Sequence, residues 1–349
     1  MTPAVSIIIP TFRRPERAIE AARSALAQVC DATFEVVLVD NDPAGSALAP
    51  LRGLNDHRVV VVHEPRAGVA NARNAGLRAA KGETIAFLDD DELAPAGWLA
   101  ELMRVQAAHD ADVVFGPVRT KLASRPRDHE AFFEAFFARA PDHAEGKLGM
   151  FYGCGCSLIR RAALPVAEPF STERNEIGGE DDLLFQTMQA GGASFAWAPN
   201  AFVWETPEPS RVTLAYTLRR AFAYGQGPAT KAWTGPKRDL SAIAFWMAVG
   251  AGQTVVYGVV AGGCFLAKTS GRAFAYRRFV EGVGKLLWFP VIKPRFYGAS
   301  KLSRAERAAA SQRSAGTLLA VSQRRAGGRR SGRWSRRPDR CPAGWAGRG

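Results

Sequence analysis

Apolar runs and helical segments alternate through the first 110 residues of the chain. The apolar runs are short, continuous and rich in valine and isoleucine, as buried strands are; they occupy residues 5–9, 34–39, 59–62 and 84–88. Residues 15–29 carry apolar side chains at helical spacing, and residues 68–78 form a loop that enters a helix. This alternation predicts an α/β fold in which a mainly parallel sheet, buried on both faces, is flanked by helices.

The pattern further along the chain predicts more helices and strands. Helices are expected at residues 98–109, 129–139 and 211–227, a strand with a turn at 112–118, and a closing pair of strands at 195–205. One side of the second of these helices carries a phenylalanine stripe, formed by Phe132, Phe133, Phe136 and Phe137. Such a stripe favours packing in a core, and a surface that faces an acceptor or a membrane is the alternative.

The fourth apolar run ends in four consecutive acidic residues, Asp89, Asp90, Asp91 and Glu92. Adjacent carboxylates repel one another, so a bound cation, or a ligand that carries one, would offset the repulsion. Oxygen ligands favour Mg²⁺ or Mn²⁺ over zinc. The alternative is a solvated acidic turn before the helix that starts near Pro95, since acidic side chains are stabilised at a helix N-terminus.

Polar residues also follow the first two strands, at Pro10 and Thr11 and at Asp40 and Asp42. In a parallel α/β sheet, ligands bind outside the carboxyl ends of the strands. Three strands are therefore expected to direct polar groups into one crevice. A solvated acidic turn does not account for that convergence.

A glycine-flanked loop precedes the helix between the third and fourth strands. Gly68 and Gly76 flank Asn71, Arg73 and Asn74. Glycine lets a ligand approach the backbone, while a helix start and an arginine favour phosphate. The segment has neither the P-loop pattern nor the dinucleotide-binding fingerprint, so neither of those folds is predicted.

A second acidic group lies at residues 178–182, where two glycines precede Glu180, Asp181 and Asp182. Acidic residues are common in the first turn of a helix, which explains the group on local grounds. The alternative is a catalytic carboxylate that takes the proton from an attacking hydroxyl group.

The composition of the chain argues against a nucleic-acid-binding protein, a disulfide-stabilised protein and a zinc protein. The chain has 349 residues, 47% of them hydrophobic, and a formal net charge of +13, with Arg and Lys crowded after residue 266. The charge therefore indicates an anionic membrane surface rather than a nucleic acid. Five cysteines, an odd and scattered set, do not indicate a disulfide framework, and Cys154 and Cys156 lack the second pair that a zinc site needs. The first ten residues lack a signal sequence, so we expect the N-terminal part to start in the cytosol.

Four segments, in this order and at these spacings, closely resemble glycosyltransferase family 2: residues 5–14 (VSIIIPTFRR), 39–42 (VDND), 68–76 (GVANARNAG) and 87–91 (FLDDD). With the Glu-Asp pair at 180–181, the resemblance covers roughly residues 4–225. It implies the GT-A fold, a nucleotide-diphosphate sugar donor, a divalent metal ion, Mg²⁺ or Mn²⁺, and inversion at the anomeric carbon.

The resemblance also implies roles for individual residues on the donor side. The nucleoside pocket would be lined by Pro10, Thr11, Arg13 and Asp40, with Asp40 on the base or ribose. The loop at Gly68 and Arg73 would close over it. Asp89 would face the ribose and Asp91 would hold the metal ion at the diphosphate. Asp90, also assigned to donor binding, is the alternative metal ligand.

On the acceptor side, Glu180 and Asp181 match the family's Glu-Asp motif, which makes Asp181 the catalytic base. The chain departs from the family at two positions: Cys156 stands near a common asparagine, and Glu205 stands where relatives often have a histidine as a possible metal ligand. Glu205 is either a metal ligand or a strand-end charge. Arg219 or Arg220 would meet the diphosphate or a lipid phosphate, or lie solvated on the surface.

The C-terminal part predicts a membrane-associated helical appendage. Residues 241–267 contain no charged residue, which is enough for one membrane span, with a buried or in-plane helix as the alternative. Residues 286–292 are too short to span alone, and basic residues between the two segments favour a dipping hairpin or interfacial helices. We therefore divide the chain into a catalytic domain at 1–230, a helical membrane segment at 231–300 and a basic disordered tail at 301–349.

Three functions fit these features. The first is inverting transfer of a sugar to a hydroxyl group of a saccharide or glycolipid, at the cytoplasmic face of the plasma membrane, in synthesis of a cell-envelope polysaccharide or glycolipid. The others are transfer to a polyprenyl phosphate, whose acceptor oxygen is already ionised, and a catalytically silent nucleotide-sugar-binding membrane scaffold. Asp40, the acidic run and Asp181 together favour the enzyme.

Overall fold

The predicted strands and helices form the framework of the fold. The computed structural model describes residues 2–175, 178–235, 237–294 and 296, so the predicted tail at 301–349 lies outside the described residues. The strands are β1 Val5–Thr11, β2 Phe34–Asp40, β3 Val59–His63, β4 Thr84–Phe87, β5 Glu92–Leu93, β6 Val113–Phe115, β7 Val118–Thr120, β8 Gly146–Leu148, β9 Ser157–Arg160, β10 Phe195–Trp197 and β11 Val203–Glu205. The helices are α1 Pro15–Leu26, α2 Leu48–Arg52, α3 Val69–Ala79, α4 Trp98–His109, α5 Glu130–Phe137, α6 Glu180–Ala190, α7 Leu214–Thr234, α8 Leu240–Leu266 and α9 Arg272–Leu286.

The larger sheet confirms the predicted α/β class. Within the described residues its strand order is β3-β2-β1-β4-β9-β6-β10-β8. Strands β1 to β4 run parallel, as do β6 and β10, whereas β9 is antiparallel to both β4 and β6, and β8 is antiparallel to β10. The parallel half places the carboxyl ends of β1, β2 and β4 at one edge of the sheet, where the predicted ligand crevice should lie.

The predicted closing pair at residues 195–205 is wrong in its pairing. Both strands form, but β10 joins the larger sheet beside β6, while β11 pairs with β5 and β7 in a smaller sheet. The physical reason is that the segment between β10 and β11 runs alongside the segment between β6 and β7. Ala198 N donates a hydrogen bond to Phe115 O, and Val203 N donates one to Pro117 O. Each strand therefore finds its partner in the earlier segment rather than in the other.

Side chains of β1 show why the sheet is buried on both faces. Ile7 and Ile9 pack in one core cluster, with α1 and α4, and Ile8 packs in a second cluster, with α3 and α6. Successive side chains of a strand point to opposite faces, so an unbroken apolar run needs cover on both sides. Each fully buried isoleucine contributes roughly 1.5–3 kcal/mol by removing its side chain from water.

The phenylalanine stripe of α5 is partly core, as predicted. Phe132 and Phe133 are buried and pack with Ala273 of α9, whereas Phe136 and Phe137 are half-buried. Phe137 stacks on Tyr216 of α7. The stripe thus joins α5 to the C-terminal helices.

Helix α8 is the one helix in the described part of the chain that is long and apolar enough to cross a membrane by length and composition. Its 27 residues span roughly 40 Å at 1.5 Å per residue. Only a narrow side of it is buried, at Ile243, Gly250 and Ala261, while Val259 on the other side is 74% exposed. An unpartnered apolar helix surface of this length indicates contact with a membrane or another apolar partner.

Candidate active site

The polar residues at the end of β1 contact the acidic run that follows β4. Thr11 Oγ1 donates a hydrogen bond to Asp90 Oδ2 at 2.7 Å. Arg14, just beyond β1, contacts Asp90 Oδ1 at 2.7 Å through Nη2 and Asp91 Oδ2 at 3.0 Å through Nη1. An arginine from the first strand–helix junction therefore neutralises part of the acidic run. The polar groups of β1 and β4 meet at the sheet edge where the sequence predicts a ligand crevice.

The three aspartates have different surroundings. The side chain of Asp90 is 2% exposed, that of Asp91 8% and that of Asp89 37%. Burial raises the pKa of Asp90 to about 7, against the opposing charge of Arg14. Asp89 is thus the most accessible to a ligand, and Asp90 is the one most occupied by contacts within the protein.

Arg73 connects the acidic run to the second acidic group. Its Nη2 lies 3.2 Å from Asp89 Oδ1, its Nη1 forms an ion pair with Glu180, and the same Nη1 lies 4.0 Å from Asp181 Oδ2. The guanidinium is buried against Phe170, with its carbon 5.6 Å from the ring centroid. Asp89 and Glu180, which lie far apart in the sequence, therefore share one cation, which supports the interpretation of the two acidic groups as parts of one site.

The turn before α6 sets the positions of Glu180 and Asp181. Gly179, at the N-cap, has a φ of 80°, a left-handed conformation that glycine adopts without steric cost. Burial raises the pKa of Glu180 to about 7, opposed by Arg73 and reinforced by Asp181. The side chain of Asp181 is 21% exposed. It accepts a hydrogen bond from Cys154 N at 3.1 Å. Asp181 is thus the more accessible carboxylate of the pair.

On the nucleoside side, Asp40 is fully buried at the end of β2. Its two oxygens accept hydrogen bonds from Asp42 N at 3.0 Å and Ala47 N at 2.7 Å, so in this conformation it shapes the following loop. Arg13 Nε donates to Asp42 Oδ1 at 3.1 Å. Pro10 and Thr11 continue β1 beside Asp40, with Thr11 in register with it. The four predicted nucleoside residues therefore lie together at this edge.

The Gly68 loop is fixed from two directions. Gly68 N donates to Asn41 Oδ1 at 2.7 Å, and Gly68 has a φ of 144°. A Cβ at this position would lie 2.2 Å from Asn175 Cγ. Asn175 Oδ1 also accepts a hydrogen bond from Ala70 N at 3.0 Å, at the start of α3. Only glycine fits here, because both the backbone conformation and the contact with Asn175 exclude a side chain.

Arg139, to which the sequence analysis assigns no role, and Glu92, the last residue of the acidic run, complete the site. Arg139, at the end of α5, donates to Gly155 O, and its charge acts on both Glu92 and Glu205. Glu92 is buried and accepts a hydrogen bond from Asp89 N at 2.9 Å; burial and Asp89 raise its pKa. Arg14 could have been found from the sequence, because it lies in the segment at residues 5–14 that resembles the family. Arg139 could not, because its position depends on how the chain folds after α5.

The donor chemistry of the crevice fits a divalent metal ion. Glu205 of β11 is paired in register with Glu92 of β5, and burial, Asp91 and Asp89 raise the pKa of Glu205 to about 8. A cation would relieve this concentration of negative charge, and the oxygens are hard ligands suited to Mg²⁺ or Mn²⁺. Among the described residues, however, no three His, Cys, Asp or Glu side chains form a group able to hold a metal ion. The residues thus fit an ion that takes one or two carboxylates and completes its coordination with substrate phosphates.

Cys156 and the arginine pair Arg219 and Arg220, considered in the sequence analysis for ligand contacts, all contact other residues of the protein. The Cys156 thiol is buried, donates to Ala201 O at 3.0 Å and accepts from Trp98 Nε1 at 3.3 Å, so its hydrogen bonds are made within the protein. Arg219 and Arg220 of α7 both lie over the ring of Phe296, at 5.5 and 4.9 Å from its centroid.

The mainly parallel sheet, with acidic residues clustered at the carboxyl ends of its strands, is a GT-A fold. A solved mannosyltransferase from Pyrobaculum calidifontis, in complex with GDP-Man and Mn²⁺, aligns with a TM-score of 0.55 and 23% identity, over 82% of this chain and 88% of that one. That likeness shows the fold.

The sequence then places the protein in its family. The glycosyl transferase family 2 model matches residues 6–166. The succinoglycan biosynthesis protein ExoM of Rhizobium meliloti (strain 1021) is 34% identical over 228 residues, which cover 64% of this chain and 73% of that protein. The chain belongs to glycosyltransferase family 2 and is a glycosyltransferase. A further relative, the Escherichia coli UDP-Glc:alpha-D-GlcNAc-diphosphoundecaprenol beta-1,3-glucosyltransferase WfgD, is 32% identical over 103 residues, 29% of this chain and 39% of that protein.

Proposed function

We propose that this glycosyltransferase moves a sugar, with inversion, from a nucleotide-diphosphate donor to a hydroxyl group of a saccharide or glycolipid acceptor during cell-envelope polysaccharide or glycolipid synthesis. The observation that carries the proposal is the placement of Asp181 in the same crevice as the Asp89–Asp91 run, joined through Arg73. Two relatives support a polysaccharide or a lipid-linked saccharide as the acceptor: ExoM is a succinoglycan biosynthesis protein, and WfgD is a glucosyltransferase that acts on a diphosphoundecaprenol-linked sugar.

The donor binds along the carboxyl edge of β1, β2 and β4. Pro10, Thr11 and Arg13 line the nucleoside end, Asp40 holds the loop that follows β2 behind them, and Asp89, the most exposed aspartate, faces the ribose. The loop at Gly68 and the charge of Arg73 hold the diphosphate side, since backbone N–H groups and an arginine both favour phosphate.

Asp181 acts as the general base. It takes the proton of the acceptor hydroxyl group while that oxygen attacks the anomeric carbon, on the face opposite the departing nucleoside diphosphate. Glu180 acts through Arg73: its buried ion pair fixes the guanidinium between the donor site and the base. Positioning of donor, acceptor and base supplies much of the remaining rate enhancement.

Asp91 is the proposed metal ligand, with Glu205 as a second carboxylate. Asp90 is less suited, because its two oxygens already accept from Thr11 and Arg14. Mg²⁺ or Mn²⁺ bound there would supply positive charge that stabilises the leaving diphosphate.

Helix α8 associates the enzyme with a membrane, and we place it in the interface, at the cytoplasmic face of the plasma membrane, rather than across the bilayer. Helix α9 packs along the middle of α8, where a Cβ on Gly282 would lie 3.1 Å from Gly250 O. Lys285 Nζ of α9 donates to Gln253 Oε1 at 2.9 Å. A spanning α8 would carry the charged residues of α9 into hydrocarbon, where charges are costly.

Release of nucleoside diphosphate from a panel of nucleotide sugars, with saccharide and lipid-linked saccharide acceptors, tests the proposed reaction. We expect acceptor-dependent release with one nucleotide class. Turnover that survives the Asp181→Asn change would indicate an already ionised acceptor, such as a polyprenyl phosphate. Donor binding without release for any acceptor would indicate a scaffold.

A further inference from the structure

A cavity of about 860 Å³ lies away from the catalytic carboxylates. Its wall comes from the segment that precedes α5, the start of α7, the C-terminal end of α8 and the first turns of α9. Four elements that are separate in sequence therefore enclose one space at the end of the apolar helix.

The rim of this cavity is basic. Arg127, Lys268 and Arg272 line it, and the acidic residue among its lining residues is Asp128. Arg272 Nη2 lies 3.9 Å from Asp128 Oδ1, but the side chain of Asp128 is 71% exposed, so solvent screens this pair. His129 Nδ1 is buried without a hydrogen-bond partner among the described residues. The cavity thus has two positive charges in excess.

The remaining wall is apolar and continues onto α8. Phe133 is buried at the base of the cavity, while Phe265 and Leu266 are 66% and 81% exposed at its edge. Val259, 74% exposed, extends the same apolar surface along α8. A ligand whose polar group occupies the cavity would therefore have an apolar track beside it.

The basic rim and the apolar wall together indicate which kind of ligand the cavity binds. A free inorganic anion would use the basic rim and leave the apolar wall exposed to water. A neutral lipid would use the apolar wall and leave the clustered cations unneutralised. An amphiphile with a phosphate headgroup satisfies both, since arginine and lysine bind phosphate and hydrocarbon covers the apolar surface.

The geometry points to a binding site for the headgroup of an anionic phospholipid from the bilayer, with the phosphate at Arg127, Lys268 and Arg272 and the acyl chains along Phe265 and Leu266. This inference rests on the proposed membrane association of α8 for its lipid source. The C-terminal end of α8 would then anchor and orient the enzyme by recognising an anionic lipid.

Titration of the full-length protein with short-chain dihexanoyl phosphatidylglycerol, kept below its micelle concentration, tests the site without a membrane. We expect saturable binding that is weaker for dihexanoyl phosphatidylcholine and for inorganic phosphate. A basic side chain near an anionic lipid contributes about 1 kcal/mol, so the Arg127→Ala and Lys268→Ala changes should each weaken binding about fivefold. Lys121→Ala, which removes an exposed charge outside the cavity, is the matched control and should leave binding unchanged.

Flotation with phosphatidylcholine vesicles and with vesicles containing phosphatidylglycerol separates this inference from membrane association itself. Binding of monomeric lipid without flotation on either vesicle would support the cavity and contradict the role of α8. Equal flotation on both vesicles without binding of monomeric phosphatidylglycerol would contradict the cavity and leave α8 as the anchor. Equal losses in the Lys268→Ala and Lys121→Ala proteins would also overturn the site, because net charge alone would then explain binding. Inorganic phosphate that binds as tightly as the lipid would overturn the lipid assignment.

Discussion

Replacing Asp181 with Asn separates a catalytic base from a structural carboxylate. The substitution keeps the shape of the side chain and removes its charge. Asp181 accepts hydrogen bonds from Cys154 N at 3.1 Å and Asp182 N at 2.9 Å. An amide retains one acceptor oxygen, so one of these bonds is lost, which costs about 0.5–1.5 kcal/mol of stability.

The catalytic loss should be larger than this structural one. A positioned general base typically contributes a factor of about 10² to 10⁴. At about 1.36 kcal/mol per tenfold change, the barrier rises by roughly 2.7–5.4 kcal/mol. Donor affinity should change little, because Asp181 lies 4.0 Å from the Arg73 guanidinium and contacts the donor side only through it.

The assay compares kcat from nucleoside diphosphate release with donor affinity from calorimetry, for wild type and for Asp181→Asn. Asp182→Asn is the matched control, since it removes the same charge from the same helical turn. We expect it to lower kcat less than about tenfold, below the range of a general base. An Asp181→Asn enzyme that keeps more than a tenth of wild-type kcat would refute the base assignment, as would an equal loss in the control.

Two further predictions concern stability. The pKa of Glu180 is raised by burial from about 4.5 to about 7, so its contribution to the free energy of unfolding is complete below pH 4.5 and is lost as the pH rises through 7. The stability of Glu180→Gln relative to wild type should therefore rise from pH 5 to pH 8 in urea unfolding, and a relative stability that stays level or falls over this range would contradict the raised pKa. A Cβ on Gly116 would lie 2.0 Å from Ala201 O, so Gly116→Ala should lower the free energy of unfolding by roughly 1–3 kcal/mol. Gly97→Ala, where no atom lies within 4 Å of the new Cβ, should stay near wild type, and equal effects would contradict the packing argument.

The pattern of apolar runs in the sequence predicted the parallel half of the larger sheet. The apolar runs of β1 to β4 and their polar ends were sufficient to place Thr11, Asp40 and the Asp89–Asp91 run at one edge, because a parallel sheet aligns the carboxyl ends of its strands. Joining this edge to Glu180 and Asp181 required the family resemblance, since so long a separation in sequence carries no geometric information.

Other features depend on contacts between distant segments. Nothing in residues 195–205 shows that β10 and β11 enter different sheets, because the choice depends on hydrogen bonds to the segment between β6 and β7. Arg139 reaches the site through a backbone bridge to Val118 of β7, a pairing that the sequence around Arg139 does not indicate. The close approach of α8 and α9 depends on Gly250 facing Gly282, a pairing that the apolar composition of α8 does not reveal.

Thermal unfolding with UDP, GDP, TDP and CDP, each with and without Mn²⁺, tests the central claim of a metal-assisted nucleotide-sugar site most directly. A ligand at 100 times its Kd stabilises the folded state by about 2.7 kcal/mol. We expect one nucleotide to raise the midpoint only when Mn²⁺ is present, and this shift to disappear in the Asp91→Asn protein. No shift with any nucleotide, or an unchanged shift in Asp91→Asn, would contradict the proposed donor site.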